Sequence, residues 1–330
     1  MTIPLRLLFL GGTGVISSAC VREAVAAGHD VTVVNRGLST TRPVPAGVRT
    51  LVADARDADA LRTVLGDERF DSVASFIGYS AADVATDVEV FSGRTDQYVF
   101  VSTCSVYEHP AAVLPIRESA ARSAPRFEYP AGKIAAETYL ETAHRAGFPV
   151  TVVRPSHVYD RTTLPLLAGW TAVERMRQGR PVVVHGDGTS LWNLMHADDF
   201  ARAFVPLLGS AHAVGEAVHI TSSELVTWDG IHEAVGRAAG VRPTLVHRSS
   251  EDVGRVVDWM GLVLQEDFRH TVIYDRTRLE QLVPGFRERY DVARGMRESV
   301  AWFDAEPSRR TVDAGLDEAF DELAGVRVPQ

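Results

Sequence analysis

The segment Gly11-Gly12-Thr13-Gly14-Val15-Ile16-Ser17 constrains this chain more than any other. It follows a short apolar run, Leu5 to Leu10, and precedes Val15 to Ala27, which reads as a helix closed by Gly28. A sharp strand-to-helix turn that lets a ligand approach the backbone needs glycine. The helix that opens there offers unpaired N–H groups and the positive end of its dipole to an anion. Ser17 at the third small position still permits close helix–strand packing. In this setting the segment indicates a dinucleotide site, with Gly11, Gly12, Thr13, Gly14, Val15 and Ile16 at the pyrophosphate.

The first half continues in the same rhythm. Val31–Val34, Thr50–Val52, Ser72–Ile77, Tyr98–Ser102 and Val150–Val153 read as strands separated by helix-length segments. Ala217–Ile220 reads as one more core strand that returns to the sheet. Such spacing implies βαβ units and a parallel sheet covered on both faces. Later segments lose this rhythm at Arg180-Pro181 and Gly186-Asp187-Gly188, so a second unit without a clean linker is expected. Asp313 to Leu323 reads as an acidic amphipathic helix that packs.

Composition removes several function classes. The chain of 330 residues carries 34 basic and 43 acidic side chains, a formal charge of -9, which argues against a nucleic-acid partner. Its 2 cysteines, Cys20 and Cys104, form neither a disulfide framework nor a metal quartet. The 11 histidines never adopt a metal-ligand spacing, and no metal is expected. No apolar run is long enough to span a bilayer, and the opening Ile3–Leu10 is too short for a signal peptide, so no membrane partner and a cytoplasmic location are expected. No Gly-x-Ser-x-Gly elbow is present for acyl hydrolysis.

The end of the second strand bears on the cofactor. Sites for NAD commonly place a carboxylate there for the adenosine ribose. This chain has Asn35-Arg36-Gly37 and no acid. Arg36 suits a 2′-phosphate and an adenine face, which favours NADP(H) over NAD(H); the competing reading has Arg36 solvated and Asn35 at the ribose of NAD. Asp54, past the third strand, either meets the adenine edge or caps the following helix.

All but one of the basic residues are arginine, and the single lysine is Lys133. Tyr129-Pro130-Ala131-Gly132-Lys133 sets a phenol and an ammonium on one helical face. A neighbouring ammonium favours phenolate and makes Tyr129 a better base. Lys133 is also suited to the nicotinamide ribose hydroxyls. Upstream, Ser102-Thr103-Cys104-Ser105-Val106-Tyr107 follows the fifth strand, where a hydroxyl can hold a substrate oxygen.

These residues resemble the extended short-chain dehydrogenases/reductases, the superfamily of NAD(P)-dependent epimerases and dehydratases. Arg154-Pro155-Ser156-His157-Val158-Tyr159 and Gly186-Asp187-Gly188-Thr189, followed by His196-Ala197-Asp198-Asp199, extend the resemblance over residues 5 to about 220. It implies an α/β, Rossmann-type doubly wound parallel sheet with a smaller C-terminal substrate-binding domain. Residues 1–157 and 193–237 would form the dinucleotide-binding part, and 158–192 and 238–330 the substrate-binding part. It further implies Tyr129 as acid/base, Lys133 as its tuner and Thr103 as the catalytic hydroxyl, with Ser102 and Ser105 beside it. Pro155 and His157 would lie by the nicotinamide, and His196–Asp199 would start and cap a helix.

Departures narrow the substrate. Phe76-Ile77-Gly78-Tyr79 replaces an Asn-Ala-Ala stretch frequent in the family. Nucleotide-sugar epimerases carry an arginine for the diphosphate where Trp192 stands, so a UDP-sugar would need another arginine such as Arg161 or Arg269. Trp192 either lines a substrate pocket or fills the interface between the two units. The Asp-Glu pair that serves sugar dehydration is replaced by Cys104-Ser105. Thr103, Ser105 and Trp192 are therefore the expected substrate contacts. Hydride transfer between a nicotinamide and a secondary alcohol or ketone of a small molecule is the leading expectation. A sugar or nucleotide-sugar epimerase with retained NAD, and a non-catalytic RNA-binding or regulatory protein, are the alternatives. A homodimer through the helix bearing Tyr129 and Lys133 is a further expectation.

Overall fold

Leu7, Leu8, Phe9 and Leu10 are all buried, as a strand inside a sheet covered on both faces requires. The structure, a computed structural model, describes residues 3–325. Its main sheet contains β1 (Arg6–Leu10), β2 (Asp30–Asn35), β3 (Arg49–Val52), β4 (Ser72–Ser75), β5 (Tyr98–Val101), β6 (Val150–Pro155) and the returning strand Ala217–Ile220. From one edge the order is Ala217–Ile220, β6, β5, β4, β1, β2, β3, and every pairing is parallel. All seven strands expected from the sequence are present. The run Ser72–Ile77 leaves the sheet at Ser75, and Phe76–Tyr79 turns away toward the C-terminal strand ends.

Helix α1 (Val15–Ala26) packs against the helix Ala197–Phe204 on one face of the sheet. Cys20, Val21, Phe200 and Phe204 share that core with Leu7, Phe9 and Val33. On the other face, α2 (Ala58–Leu65), α3 (Ala81–Phe91) and α4 (Glu128–Arg145) cover Leu8, Leu10, Val73 and Phe100. Each fully buried Leu or Phe of this kind contributes about 1.5–3 kcal/mol. The strand order reverses direction between β1 and β4, and ligands of open parallel sheets bind outside the strand ends at such a point.

A further core lies beside this sheet. The helix Trp228–Ala238 buries Trp228, Ile231, Ala234 and Val235 there, together with Val182, Val184, Met260 and Met296. That helix sits on the dinucleotide side of the expected boundary, yet its apolar face packs with the later segments. Conversely, Leu279 and Val283 pack in the core of the main sheet. The acidic helix Ala314–Ala324 is capped by Asp313, and its Asp317 and Asp321 pair with Arg175 and Arg180. No helix among the described residues is long and apolar enough to cross a membrane.

Candidate active site

The turn between β1 and α1 is built by close contact. Gly11 and Gly12 both have φ of 114°, which a side chain resists, and a Cβ on Gly12 would lie 2.6 Å from Val33 Cγ1. Ser17 Oγ accepts from the Gly12 and Gly14 amides at 3.1 and 3.0 Å, holding the loop in shape. Gly14 is the N-cap and has no side chain to cap α1, so the first-turn N–H groups remain open beside the cleft. These features fit a dinucleotide pyrophosphate.

A cleft of about 520 Å³ runs from this turn across the ends of β4, β5 and β6. Gly11, Thr13, Gly14, Val15, Ile16, Ser102, Thr103, Ser105, Tyr129, Lys133, Pro155, His157 and Trp192 all line it. A second hollow of about 240 Å³ shares Gly11 and Thr13 and contains Asn35, Arg36, Asp54 and Arg56. Every residue expected from the sequence to be catalytic, to hold the cofactor or to contact substrate, except Gly12, therefore lines one of two adjoining hollows; Gly12 serves the turn itself. Asn35 Oδ1 accepts from the Gly37 amide at 2.8 Å, so its side chain shapes the loop bearing Arg36. Asp54 does not cap α2; Asp57 does. The loop after β2 is tied to the later part of the chain by Arg42, whose Nε donates to Asp160 Oδ2 at 2.6 Å.

Lys133 is almost fully buried. Its Nζ donates to the carbonyls of Gly78 and Val101, each at 2.7 Å, and lies 4.9 Å from the Tyr79 ring and 4.8 Å from the Phe100 ring. Burial lowers its pKa to about 8, while Glu137 and Asp83 oppose the drop. A guanidinium is too wide for a pocket formed by two converging carbonyls and two rings, which explains a lysine in a chain that otherwise uses arginine.

Tyr129 shows part of its ring to solvent, 42% of the residue being exposed, but its hydroxyl end is enclosed. Enclosure pushes the phenol up to about 12, and the Thr103 hydroxyl facing it works in the opposite direction. Thr103 Oγ1 also accepts from the Ser105 amide at 3.2 Å, capping the short turn Cys104–Val106 that follows β5.

Behind these groups lies a buried ionic network. Arg154 donates from Nε and Nη2 to Glu137 at 3.0 and 2.6 Å, and from Nη1 to the Tyr107 hydroxyl at 2.6 Å. Tyr107 in turn meets His219, and Arg122 also pairs with Glu137. Burial alone would raise the Glu137 carboxyl, but the guanidinium contacts hold it below the ordinary range. Glu137 lies one turn after Lys133, so the network fixes the helix face that carries Lys133.

Other candidates resolve simply. Cys104 is buried, its Sγ meeting the Arg154 carbonyl at 3.3 Å, and burial raises its pKa, as for a core thiol. His196 caps the helix Ala197–Phe204 by accepting from the Asp198 amide. Trp192 does both things weighed for it. It lines the cleft, donates to His157 Nδ1 at 3.2 Å and packs on Trp228 and Phe268. Arg161 and Arg269 do not line the cleft: both are exposed, and Arg269 pairs with Glu251. The Phe76–Tyr79 stretch, noted from the sequence only as a departure from the family, lines it through Phe76, Ile77 and Tyr79, and sequence reasoning missed Asp267, Phe268 and Tyr274, which also line it. Their segments carry no turn signal, periodicity or motif that marks them.

Residues 7–220 match the model of the NAD dependent epimerase/dehydratase family. Over 331 aligned residues the chain is 30% identical to 2'-dehydrokanamycin reductase of Streptomyces kanamyceticus, covering 97% of this chain and 90% of that protein. It is 26% identical to the chloroplast stem-loop binding protein of 41 kDa b of Arabidopsis thaliana, covering 96% and 83%. The fold matches UDP-glucose 4-epimerase of Thermus thermophilus, solved with NAD, with a TM-score of 0.72 at 22% identity, covering 91% of this chain and 99% of that one.

Proposed function

Because the chain belongs to the NAD dependent epimerase/dehydratase family, we propose that it exchanges a hydride between a nicotinamide cofactor and a secondary alcohol or ketone carbon of a small molecule. The observation that carries this reading is the meeting of Tyr129, Thr103 and Lys133 in the cleft that begins at the glycine turn. A bound nicotinamide supplies the hydride-carrying carbon. Tyr129 is protonated at neutral pH, burial pushing its phenol up to about 12, and is the group that would supply a proton to a carbonyl oxygen. Thr103 polarises the same oxygen. Lys133, anchored by two carbonyls, retains a third N–H for the ribose hydroxyls; the ammonium expected to favour the phenolate is not among the groups that act on Tyr129, whose phenol burial raises instead. Pro155 and His157 form the wall beside the ring.

NADP(H) is the cofactor this reading favours. Arg36 and Arg56 both line the smaller hollow, where a 2′-phosphate would meet two guanidiniums. Net reduction is favoured over epimerisation with retained NAD, since no arginine lines the main cleft among the described residues. The relative named for reduction of a dehydrokanamycin supports the same direction, and makes an amino-sugar ketone a first substrate to try. The relative named for stem-loop binding keeps the RNA-binding reading in view; the charge of -9 and the assembled acid/base group favour an enzyme. Division into dinucleotide and substrate parts, a cytoplasmic location and pairing through α4 accompany the proposal.

The test is mass spectrometry of nucleotide released on denaturing fresh protein, followed by titration with NADPH and NADH. Protein free of nucleotide that binds NADPH at least tenfold more tightly supports an exchanging reductase. Stoichiometric retained NAD would replace it with the epimerase reading, and binding of neither would remove the enzyme reading.

A further inference from the structure

The loop between β2 and β3 walls the smaller hollow, which Arg36, Gly37, Leu38 and Ser39 line. Every residue from Arg36 to Thr41 is exposed, and Arg42 is the first whose side chain is shielded, at 16% exposure. Among the described residues, Arg42 makes the only side-chain hydrogen bonds of residues 38–48, and all of them go to one place. Its Nε and Nη2 donate to the two carboxylate oxygens of Asp160 at 2.6 and 3.2 Å, a bidentate pair, and Nη2 also reaches the Thr162 hydroxyl.

Asp160 is a firm anchor. It is buried and follows the strand His157–Tyr159, whose His157 and Val158 line the main cleft. Its carboxylate also accepts from the Thr162 amide at 2.8 Å, and its carbonyl accepts from Ser299 Oγ at 3.2 Å, in the helix Val292–Asp304. Burial alone would raise its carboxyl, but Arg42 and Thr162 hold it below the ordinary range. Ser39 and Arg42 are three peptide steps apart, about 10 Å at full extension. The pair therefore ties the wall of one hollow closely to the strand end that walls the other, 118 residues away in the chain. Neither Arg42 nor Asp160 lines either hollow, so the tie acts on how far the two walls part and not on contacts with what they hold.

We propose that Arg42 and Asp160 are positioning residues that gate cofactor exchange: the dinucleotide enters and leaves while this pair is apart. The inference rests on the proposed nicotinamide-dinucleotide reading, in which the adenosine end takes the smaller hollow and the nicotinamide end the larger. Opening of such a wall commonly limits how fast an enzyme releases what it holds. A gate that makes no contact with the cofactor slows entry and exit alike, so breaking the tie changes both rates and leaves the affinity.

The test is stopped-flow fluorescence of NADPH binding to the full-length protein, with release followed on displacement by excess NADP+. Arg42→Ala, Asp160→Asn and the two combined are compared with the unaltered protein. Each single variant is expected to speed both association and release by about tenfold, the worth of one hydrogen bond to a charged group, with Kd kept within about threefold. The combined variant should be no faster than the faster single one, since both changes remove the same tie. Arg42→Lys, which keeps the charge but loses the fork, should lie between. Unchanged rates, effects that multiply in the combined variant, or faster release without faster association, as mere loss of structure would give, would overturn the proposal. If Asp160→Asn does not fold, Arg42→Ala, whose change lies in the loop, still decides. Failure of the unaltered protein to bind NADPH or NADH would instead remove the cofactor reading, and the gate with it.

Discussion

The Cβ that Gly132 lacks would lie 2.3 Å from the carbonyl oxygen of Tyr79. Helix α4 therefore rests directly on the loop that follows β4, with no side chain between them. That contact lets the next residue, Lys133, reach the Gly78 carbonyl. Gly132→Ala is expected to push α4 outward, costing about 1–3 kcal/mol as an overpacking change. Chemical denaturation and turnover measured together check it: activity should fall by more than the folded fraction does.

Removing the acid/base should separate chemistry from binding. Tyr129→Phe is expected to lower kcat/KM by about 10²–10⁴ and Thr103→Ala by about 10²–10³, with NADPH affinity within a few-fold of the unaltered protein. Because the phenol keeps its proton to about pH 12, ketone reduction should be nearly level from pH 6 to 8. Alcohol oxidation, which needs the proton removed, should rise over the same range. Steady-state rates in both directions test this.

Cofactor choice should follow the end of β2. Arg36→Ala is expected to weaken NADPH by about 10–100-fold, the range of one or two hydrogen bonds to a charged group, and to leave NADH nearly unchanged. Equal losses for both cofactors would show that Arg36 serves the adenine alone.

The network behind the site should be costly to interrupt. Glu137→Gln leaves Arg154 buried beside an uncharged partner and should destabilise the fold by about 3–5 kcal/mol. Equilibrium unfolding in urea gives the value.

Asp87 sets a slope of stability with pH. It is buried, bonded by Ser75 and Tyr98, and raised by burial from 3.8 to about 7. The folded state thus holds this proton more tightly than the unfolded chain does. Its contribution is complete below about pH 4 and is lost as pH rises through about 7, by at most about 4 kcal/mol. Asp87→Asn should gain stability relative to the unaltered protein from pH 5 to 8. Paired melting curves across that range test it.

Local chemistry explains which parts were readable in the residues alone. Buried β-branched and aromatic runs such as Val31–Val34 and Tyr98–Val101 announce strands, and Gly11 to Gly14 announces a backbone geometry few other residues tolerate. The pair Tyr129 and Lys133 is legible because one helix sets its spacing. Asp267 and Tyr274 reach the cleft only through packing of segments more than 100 residues away from Thr103, and nothing in their own neighbourhood marks them. The same holds for Trp228–Ala238, whose amphipathic pattern states that it packs but not on which core. Gly132 was visible as a glycine in a helix; its reason, the Tyr79 carbonyl, belongs to tertiary structure.

The central claim is that this cleft transfers hydride with Tyr129 as its proton donor. The most direct measurement supplies NADPH deuterated at the transferring carbon, together with a panel of amino-sugar ketones, to the unaltered protein and to Tyr129→Phe. The account predicts deuterium on the carbinol carbon of at least one product, and its loss in the variant while NADPH still binds. Binding of NADPH without label in any product, or equal labelling by the variant, would contradict it.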